Sequence, residues 1–384
     1  MKRARILVVG AGPVGLSLAA ACRGEEVTVV DAASQPLPVP DPGYDARVFA
    51  LSPGSRAFLR DLGAWEALDP RRIAPVRRME IFGDAGGKLA FSGRATAPLA
   101  WIVEVGRLAR ALEEVATGIE GVRLLRGVKV AELGAGASGA WLQLEDGTRL
   151  EGDLLVGADG ADSRVRTLLG LEAEERRYDE DALVANFECR EPHGDVARQW
   201  FGRDATLAYL PLPGKRISIV WSVRGERANE LAALDDRAFE AAVADAGEGT
   251  LGKLALVSPR ARFPLRMIAV DRIAAPGATL VGDAAHAVHP LAGQGANLGF
   301  QDARLLAEEI AGRGTLERPG DLKVLRRYAR GRREDVTAMQ HLTDRLDALF
   351  ASEAPLVGEI RNAGLAMIQS QGWIRRLLSD RAMR

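Results

Sequence analysis

The stretch GDAAHAVHPLAGQGANLG, residues 282–299, sets two histidines three positions apart beside a proline and a run of glycines. Imidazoles at short spacing can ligate a metal, whereas glycines that open a helix leave backbone N–H groups free for an anion. A metal held by His286 and His289 would need further ligands. The chain has four histidines, and the other two, His193 and His341, lie far away in sequence. Asp283 is the one other donor near by, so no metal site is expected. The glycines support the second reading, a loop whose backbone approaches a ligand because no Cβ stands between them.

The N-terminal stretch offers clearer chemistry. RILVVGAGPVGLSLAAA spaces Gly10, Gly12 and Gly15 as GxGxxG, after an apolar run and before a helical one. Gly10 permits the tight turn, Gly12 lets a pyrophosphate reach the backbone, and Gly15 lets helix and strand pack closely. Asp31 closes the next strand, EVTVVD, where a carboxylate can accept hydrogen bonds from an adenosine ribose. GAGASG, residues 134–139, fits the same formula. It is followed by AWLQLEDG, which alternates as a strand does, so it reads as a hairpin turn. The chain carries one dinucleotide fingerprint.

These motifs need elements to hold them. Residues 5–31 read as strand, turn, helix and strand, and the proline-rich QPLPVPDPG as a loop. A helix is expected from about Pro53, two short strands in APVRRMEIFGDAGGKLAFSG, and a helix in RLARALEEVAT. Residues 122–158 are β-rich and end in GDLLVGADG. From Tyr178 to Leu265 the strand patterns ALVANFEC, TLAYLPL and ISIVWSV surround one helical patch, DDRAFEAAVADA. That change of character marks an inserted sheet domain. Helical patterns return after Gly293 and dominate from Asp302 onward.

Bulk properties narrow the class. The chain has 384 residues, 47% of them hydrophobic and 27% charged, with a formal net charge of -1. This is a globular composition with a sizeable core. It lacks the positive excess that would neutralise nucleic-acid phosphates. Two cysteines, Cys22 and Cys189, make no disulfide framework, so a reducing cytoplasm is the expected setting. The basic start MKRAR runs straight into the first strand, and no apolar run approaches the roughly 18 residues of a membrane span.

Three signatures stand in order along the chain: GAGPVG, GADGADSRVR at 157–166, and VGDAAHAVHPLAGQGANLG. RVFALSPGS, TLAYLPL with ISIVWS, FPL at 263–265, and LTDRLDALF with IRNAGL accompany them. Nearly end to end, the sequence resembles the single-component FAD-dependent aromatic hydroxylases (class A flavoprotein monooxygenases), and most of all their ubiquinone-biosynthesis branch. The resemblance implies an α/β fold, a Rossmann-like FAD-binding domain of the para-hydroxybenzoate hydroxylase type. It carries an inserted antiparallel β-sheet substrate domain and a C-terminal helical region. The expected division gives residues 1–75, 98–176 and 269–320 to the FAD domain. Residues 76–97 and 177–268 go to the substrate domain, and 321–384 to the helical region.

The same resemblance assigns roles. FAD is expected to bind noncovalently, with NAD(P)H and O2 as cosubstrates. Asp159 and Gly160 are expected near the pyrophosphate and involved with NAD(P)H, Arg47 at the pyrophosphate, and Asp283 on the ribityl chain. Taken alone, either aspartate is equally well read as a turn or helix-cap residue. Pro290 and Gly295 are expected near the flavin ring. Backbone N–H groups of Gly293, Gln294, Gly295, Ala296 and Asn297 would face the N1/C2 region, where reduction places negative charge. Tyr209, Pro211 and Trp221 are candidates for the substrate-pocket lining, with ordinary sheet core as the competing reading. No catalytic side chain is nominated, because the flavin is the oxidant.

Some residues depart from the family pattern. Val105 stands after Glu104 where relatives show asparagine, which removes an amide near Arg107, itself a candidate FAD contact. Gln301 replaces a commoner arginine, and Ala296 a larger residue. The leading expectation is hydroxylation of a polyprenylated phenol in ubiquinone biosynthesis. A second reading keeps the flavin and takes a soluble aromatic substrate. A third, favoured by Val105, is a flavin-binding accessory protein of a quinone-biosynthesis assembly. The tail GLAMIQSQGWIRRLLSDRAMR sets Met367, Trp373, Ile374, Leu377 and Leu378 on one side of a helix, with Arg375 and Arg376 away from it. It reads either as a helix docked on the FAD domain or as a peripheral contact with the inner face of a membrane.

Overall fold

The computed structural model describes residues 3–84, 86–93, 97–202, 205–288 and 294–351, with the backbone alone for 342–351. The chain begins β1 (Arg5–Val9), α1 (Pro13–Ala21), β2 (Glu26–Asp31), β3 (Val48–Leu51) and α2 (Pro53–Leu62). It continues through β4 (Ala74–Val76), β5 (Arg78–Phe82), β6 (Lys88–Ser92), β7 (Ala100–Glu104), α3 (Val105–Thr117) and β8 (Val122–Arg126). Next come β9 (Val130–Gly136), β10 (Gly139–Leu144), β11 (Arg149–Gly152), β12 (Leu154–Gly157) and α4 (Arg164–Leu168). The inserted region holds β13 (Ala173–Cys189), β14 (Val196–Phe201), β15 (Ala205–Leu212), β16 (Arg216–Arg224), α5 (Gly225–Ala233), α6 (Asp236–Ala246), β17 (Leu254–Leu256) and β18 (Ala261–Val270). β19 (Ala274–Ala275), β20 (Ala278–Leu280), β21 (His286–Ala287), α7 (Gly295–Ala311) and α8 (Leu322–Ala351) follow.

A sheet in the order β19-β20-β12-β1-β2-β8 forms the first layer system. Its inner strands pair in parallel, which is why Ile6–Val9 and LLVG are uninterrupted apolar runs buried on both faces. Period-two alternation splits β1 between two cores. Ile6 and Val8 join the helices α1, α2, α3 and α7, while Leu7 and Val9 join β10 and the end of β20. Each fully buried aliphatic side chain there contributes about 1.5–3 kcal/mol. Local signals agree with the packing. Ser52 caps α2 by accepting the Ser55 N–H, Pro53 starts the helix, and Gly63 closes it in the left-handed conformation.

The second system is a sheet ordered β21-β18-β13-β16-β15-β14-β5-β6, with β17 pairing β13. Helices α5 and α6 cover one face and bury Phe187, Tyr209, Trp221 and Phe239. Helix α5 is absent from the sequence expectation, because its pattern GERANELAA buries only Ala228 and Leu231 and opens on a glycine. The expected domain edges at 176/177 and 268/269 fall inside β13 and β18, which pair with each other from Ala173 to Val184. One ribbon therefore serves both units. No helix of the described residues is long and apolar enough to cross a membrane.

Candidate functional site

Parallel register decides where the chemistry gathers. Val9 pairs with Gly157 and Gly157 with Leu280, so β1, β12 and β20 end level with one another. The loops after them carry residues 10–15, 159–160 and 282–283. On the other side of β1, β2 ends at Asp31. Motifs separated by more than a hundred residues thus meet along one carboxyl edge of the sheet, where open α/β sheets bind ligands.

The glycines at this edge fall into two kinds. Gly10 has φ +110°, and a Cβ there would strike Ala158 O. A Cβ on Gly15 would strike Gly10 O. Internal packing demands both. Gly12 has an ordinary φ of -75°, and a Cβ on it would meet nothing within 4 Å. Gly295 also faces open space. Among the described residues, packing does not require glycine at these two positions, whereas a ligand drawn against the backbone would.

Two helix ends add charge. α1 is capped by Gly12 and α7 by Gln294, neither with a side-chain cap and neither with an acid in its first turn. Among the described residues no side chain caps either end, so their N–H groups and positive dipole ends can receive an anion. The two helices pack so closely that a Cβ on Gly299 would come within 2.6 Å of Val14. Donors of this kind suit the pyrophosphate of FAD and a negative charge on its ring.

The acids are more committed than their sequence positions imply. Asp31 accepts the N–H groups of Ala11 at 2.5 Å and Ala33 at 2.7 Å, so it also ties the glycine turn to β2. Asp159 accepts the Ser163 hydroxyl at 2.5 Å and the N–H groups of Arg164 at 2.7 Å and Val165 at 3.1 Å, which caps α4. The competing cap reading thus describes its contacts. Asp283 sits in a short turn, Gly282–Ala284, with its side chain exposed between buried neighbours.

Glu104 is a hub. Its side chain is fully buried and receives Arg72 through two nitrogens at 2.8 and 2.9 Å, Arg107 Nε at 3.1 Å, and the Asp45 N–H at 2.8 Å. Asp45 accepts the N–H groups of Arg47 at 2.9 Å and Gly106 at 3.1 Å. Arg107 also donates to Pro40 O at 3.2 Å, so it ties Glu104 to the 38–47 loop. The Arg47 guanidinium is half-exposed, with a 3.7 Å contact to Asp45. It is the freer of the two arginines. The substrate sheet grips the same loop, because Asn186 Nδ2 donates to Asp45 O at 2.9 Å.

The pocket-lining expectation for Tyr209, Pro211 and Trp221 requires correction. All three lie on the sheet face toward α5 and α6. Tyr209 is 1% exposed, donates its hydroxyl to Val243 O at 2.6 Å, and meets the Trp200 ring edge-on at 4.8 Å. Trp221 packs against Phe239 in the same core. Side chains alternate along a strand, so neighbouring positions face the FAD domain. Ala208, Val220 and Val184 are cross-strand partners there, as are Leu210, Ser218 and Asn186. Leu210 and Leu212 reach Ala74, Val76 and Ile102 across the junction.

His286 does not face the cleft. It is buried, with Nε2 2.7 Å from Asp302 on α7. Among the described residues no cluster of His, Cys, Asp and Glu could hold a metal. Pro290, Gly293 and His289 lie outside the described residues, as do residues 361–384. Asp302 was the informative residue missed, and for Asn297 the expectation covered the backbone N–H but not the buried side chain. Both interrupt the apolar stripe of α7 beside Leu298 and Leu306, and a buried polar residue on such a stripe is itself a signal.

The FAD binding domain family matches residues 3–343. The chain belongs to that family. A ubiquinone hydroxylase of Rhodospirillum rubrum is 32% identical over all of this chain and 90% of its own length. The 3-demethoxyubiquinol 3-hydroxylase of Escherichia coli is 32% identical, over 97% of this chain and 96% of its own. An HpxO variant of Klebsiella pneumoniae solved with FAD shares the fold at TM-score 0.78 and 21% identity, covering 99% of each chain. The probable FAD-dependent monooxygenase PqsL of Pseudomonas aeruginosa does so at TM-score 0.75 and 23% identity, over 95% of this chain and 100% of its own. As a family member the chain uses FAD as its cofactor. Its departures are absorbed locally. Val105 begins α3 with a buried side chain, and the Gln301 side chain accepts from Arg332 at 3.0 Å.

Proposed function

We propose that the protein is an FAD-dependent monooxygenase that uses NAD(P)H and O2 to hydroxylate a polyprenylated phenol on the route to ubiquinone. The observation that carries this reading is the open backbone at Gly12 and Gly295, between two uncapped helix ends on one sheet edge, in a chain alike end to end to ubiquinone hydroxylases. Gly10, Gly12 and Gly15 shape the pyrophosphate turn, Asp31 holds the ribose, and Arg47 neutralises phosphate charge. Asp159 and Gly160 form the adjoining loop, Asp283 takes the ribityl hydroxyls, and the first N–H groups of α7 face the ring. When bound, FAD would supply the redox chemistry by which reducing equivalents from NAD(P)H split O2, one oxygen atom entering the aromatic ring and the other leaving as water. The chain's part is to orient the ring and keep water from it. The sheet face bearing Val184, Val220 and Leu210 covers the cleft.

The accompanying proposal is peripheral contact with an anionic bilayer, which would bring the enzyme to a substrate carrying a prenyl chain. The basic amphipathic sequence of residues 361–384 supports it. Truncation after Gly364 should abolish liposome flotation with melting unchanged; unchanged flotation would rule the contact out.

The main reading is tested by NAD(P)H oxidation and O2 consumption with and without prenylated phenols, and by mass analysis of quinones in a strain lacking the protein. Substrate-stimulated oxidation together with an accumulated under-hydroxylated intermediate is expected. Stimulation by soluble phenols alone, or by none, would overturn it.

A further inference from the structure

Asp302 is an acid in the wall of an apolar core, and three donors converge on it. The Gly282 N–H lies 2.8 Å and His286 Nε2 2.7 Å from Oδ2, and Arg332 Nε lies 2.6 Å from Oδ1. The side chains of Asp302, His286 and Arg332 are at most 4% exposed. Arg332 comes from α8 and also donates to Leu298 O at 3.3 Å and to Asp335 at 3.3 Å. One turn earlier on α8, the fully buried Tyr328 donates its hydroxyl to Leu280 O at 3.0 Å. Leu280, Gly282 and His286 bracket Asp283. Helix α8 therefore fastens the turn that carries Asp283.

Stability alone does not explain the charges, since buried ion pairs are commonly replaceable by apolar residues at little cost. A carboxylate at 302 offers what an apolar residue lacks: directed acceptors for the Gly282 N–H and the His286 ring. Burial raises the pKa of Asp302, but His286 and Arg332 outweigh it and hold the carboxyl below the ordinary range. The group stays an ionised acceptor facing His286 Nε2 and Arg332 Nε.

We infer that Arg332 and Tyr328 are positioning residues for the Asp283 turn, so that α8 sets the geometry with which this turn meets the flavin. The inference rests on the proposed placement of FAD along this sheet edge. Its test uses the full chain, with FAD affinity measured by flavin fluorescence quenching, visible circular dichroism of the bound flavin, and melting of the apoprotein. Arg332→Met should weaken FAD about tenfold, which is ~1.4 kcal/mol, and change the visible dichroism. Arg332→Lys should recover most of both. Tyr328→Phe, which keeps the ring and loses one hydroxyl, should weaken FAD by about threefold, or ~0.65 kcal/mol. A folded Arg332→Met protein with wild-type affinity and dichroism would overturn the inference. Should that variant fail to fold, wild-type behaviour in Tyr328→Phe would overturn it instead, and weakened binding would sustain it. Failure of the unaltered protein to bind FAD is a different result and would remove the flavin placement itself.

Discussion

The side-chain oxygen of Asn297, in the first turn of α7, accepts the backbone N–H of Ser52 at 2.9 Å. The same oxygen accepts the Ser55 hydroxyl at 2.8 Å, and Asn297 Nδ2 donates to Ala50 O at 2.9 Å. One amide thereby joins the N-terminus of α7 to that of α2. Asn297→Ala would remove the side-chain oxygen that accepts from Ser52 and Ser55 and the amide that donates to Ala50 O. Each hydrogen bond lost contributes about 0.5–1.5 kcal/mol. The apoprotein should lose about 2 kcal/mol in urea titration, and FAD affinity should fall with it. Unchanged stability would mean that the two helix ends are held by something else.

Gly12→Asp separates ligand binding from folding. Space beside Gly12 is open, its φ is ordinary, and aspartate is a favoured N-cap. The apoprotein should melt at or slightly above the wild-type temperature. FAD binding should be lost, because a side chain and a negative charge would occupy the approach to the helix end. A yellow, FAD-loaded variant would sink the placement of the pyrophosphate.

Much of this edge was legible in the sequence because it consists of short motifs at strand ends. GxGxxG, the 157–160 turn and the 282–283 turn each follow an apolar run, and parallel pairing then aligns them. What was illegible depends on long-range partners. Glu104 and Arg72 are 32 positions apart, Asp302 and Arg332 are 30, and nothing in RRYARGRRED marks Arg332 as the buried arginine. The choice of sheet face failed for a different reason. Strand β16 alternates, with Ile217, Ile219, Trp221 and Val223 on one face and Ser218, Val220 and Ser222 on the other. Alternation does not tell whether the more apolar face meets covering helices or the FAD domain.

The two thiols offer a pH test. Burial pushes Cys22 up to about 12, with Glu25 adding to the rise, and burial likewise pushes Cys189 up to about 12. Folding thus keeps both thiols protonated. Their contribution to stability is complete below the unfolded value of about 8.5 and is lost as pH rises toward 12, by up to ~1.4 kcal/mol per unit for each thiol. The urea midpoint of the wild type should fall between pH 9 and 11 more steeply than that of a Cys22→Ala/Cys189→Ala variant. Ellman's reagent should label neither thiol in the native protein at pH 8. Parallel pH profiles, or rapid native labelling, would contradict this burial.

The assignment of faces on the substrate sheet can be decided by two substitutions on the neighbouring strands β15 and β16. Tyr209→Phe removes a buried hydroxyl from Val243 O on the α5–α6 side and should cost about 1 kcal/mol of stability. The ring still fills its place against Trp200, so KM for the phenol and the coupling of NAD(P)H oxidation to product should stay at wild-type values. Val220 lies half-buried on the opposite face, between Ala208 and Val184. Val220→Phe adds bulk where the sheet covers the cleft. Fit at this scale is worth about tenfold in kcat/KM, so KM should rise and peroxide should escape while melting changes little. The reverse pattern, with Tyr209→Phe altering KM and Val220→Phe silent, would return the pocket to the face first expected from the sequence.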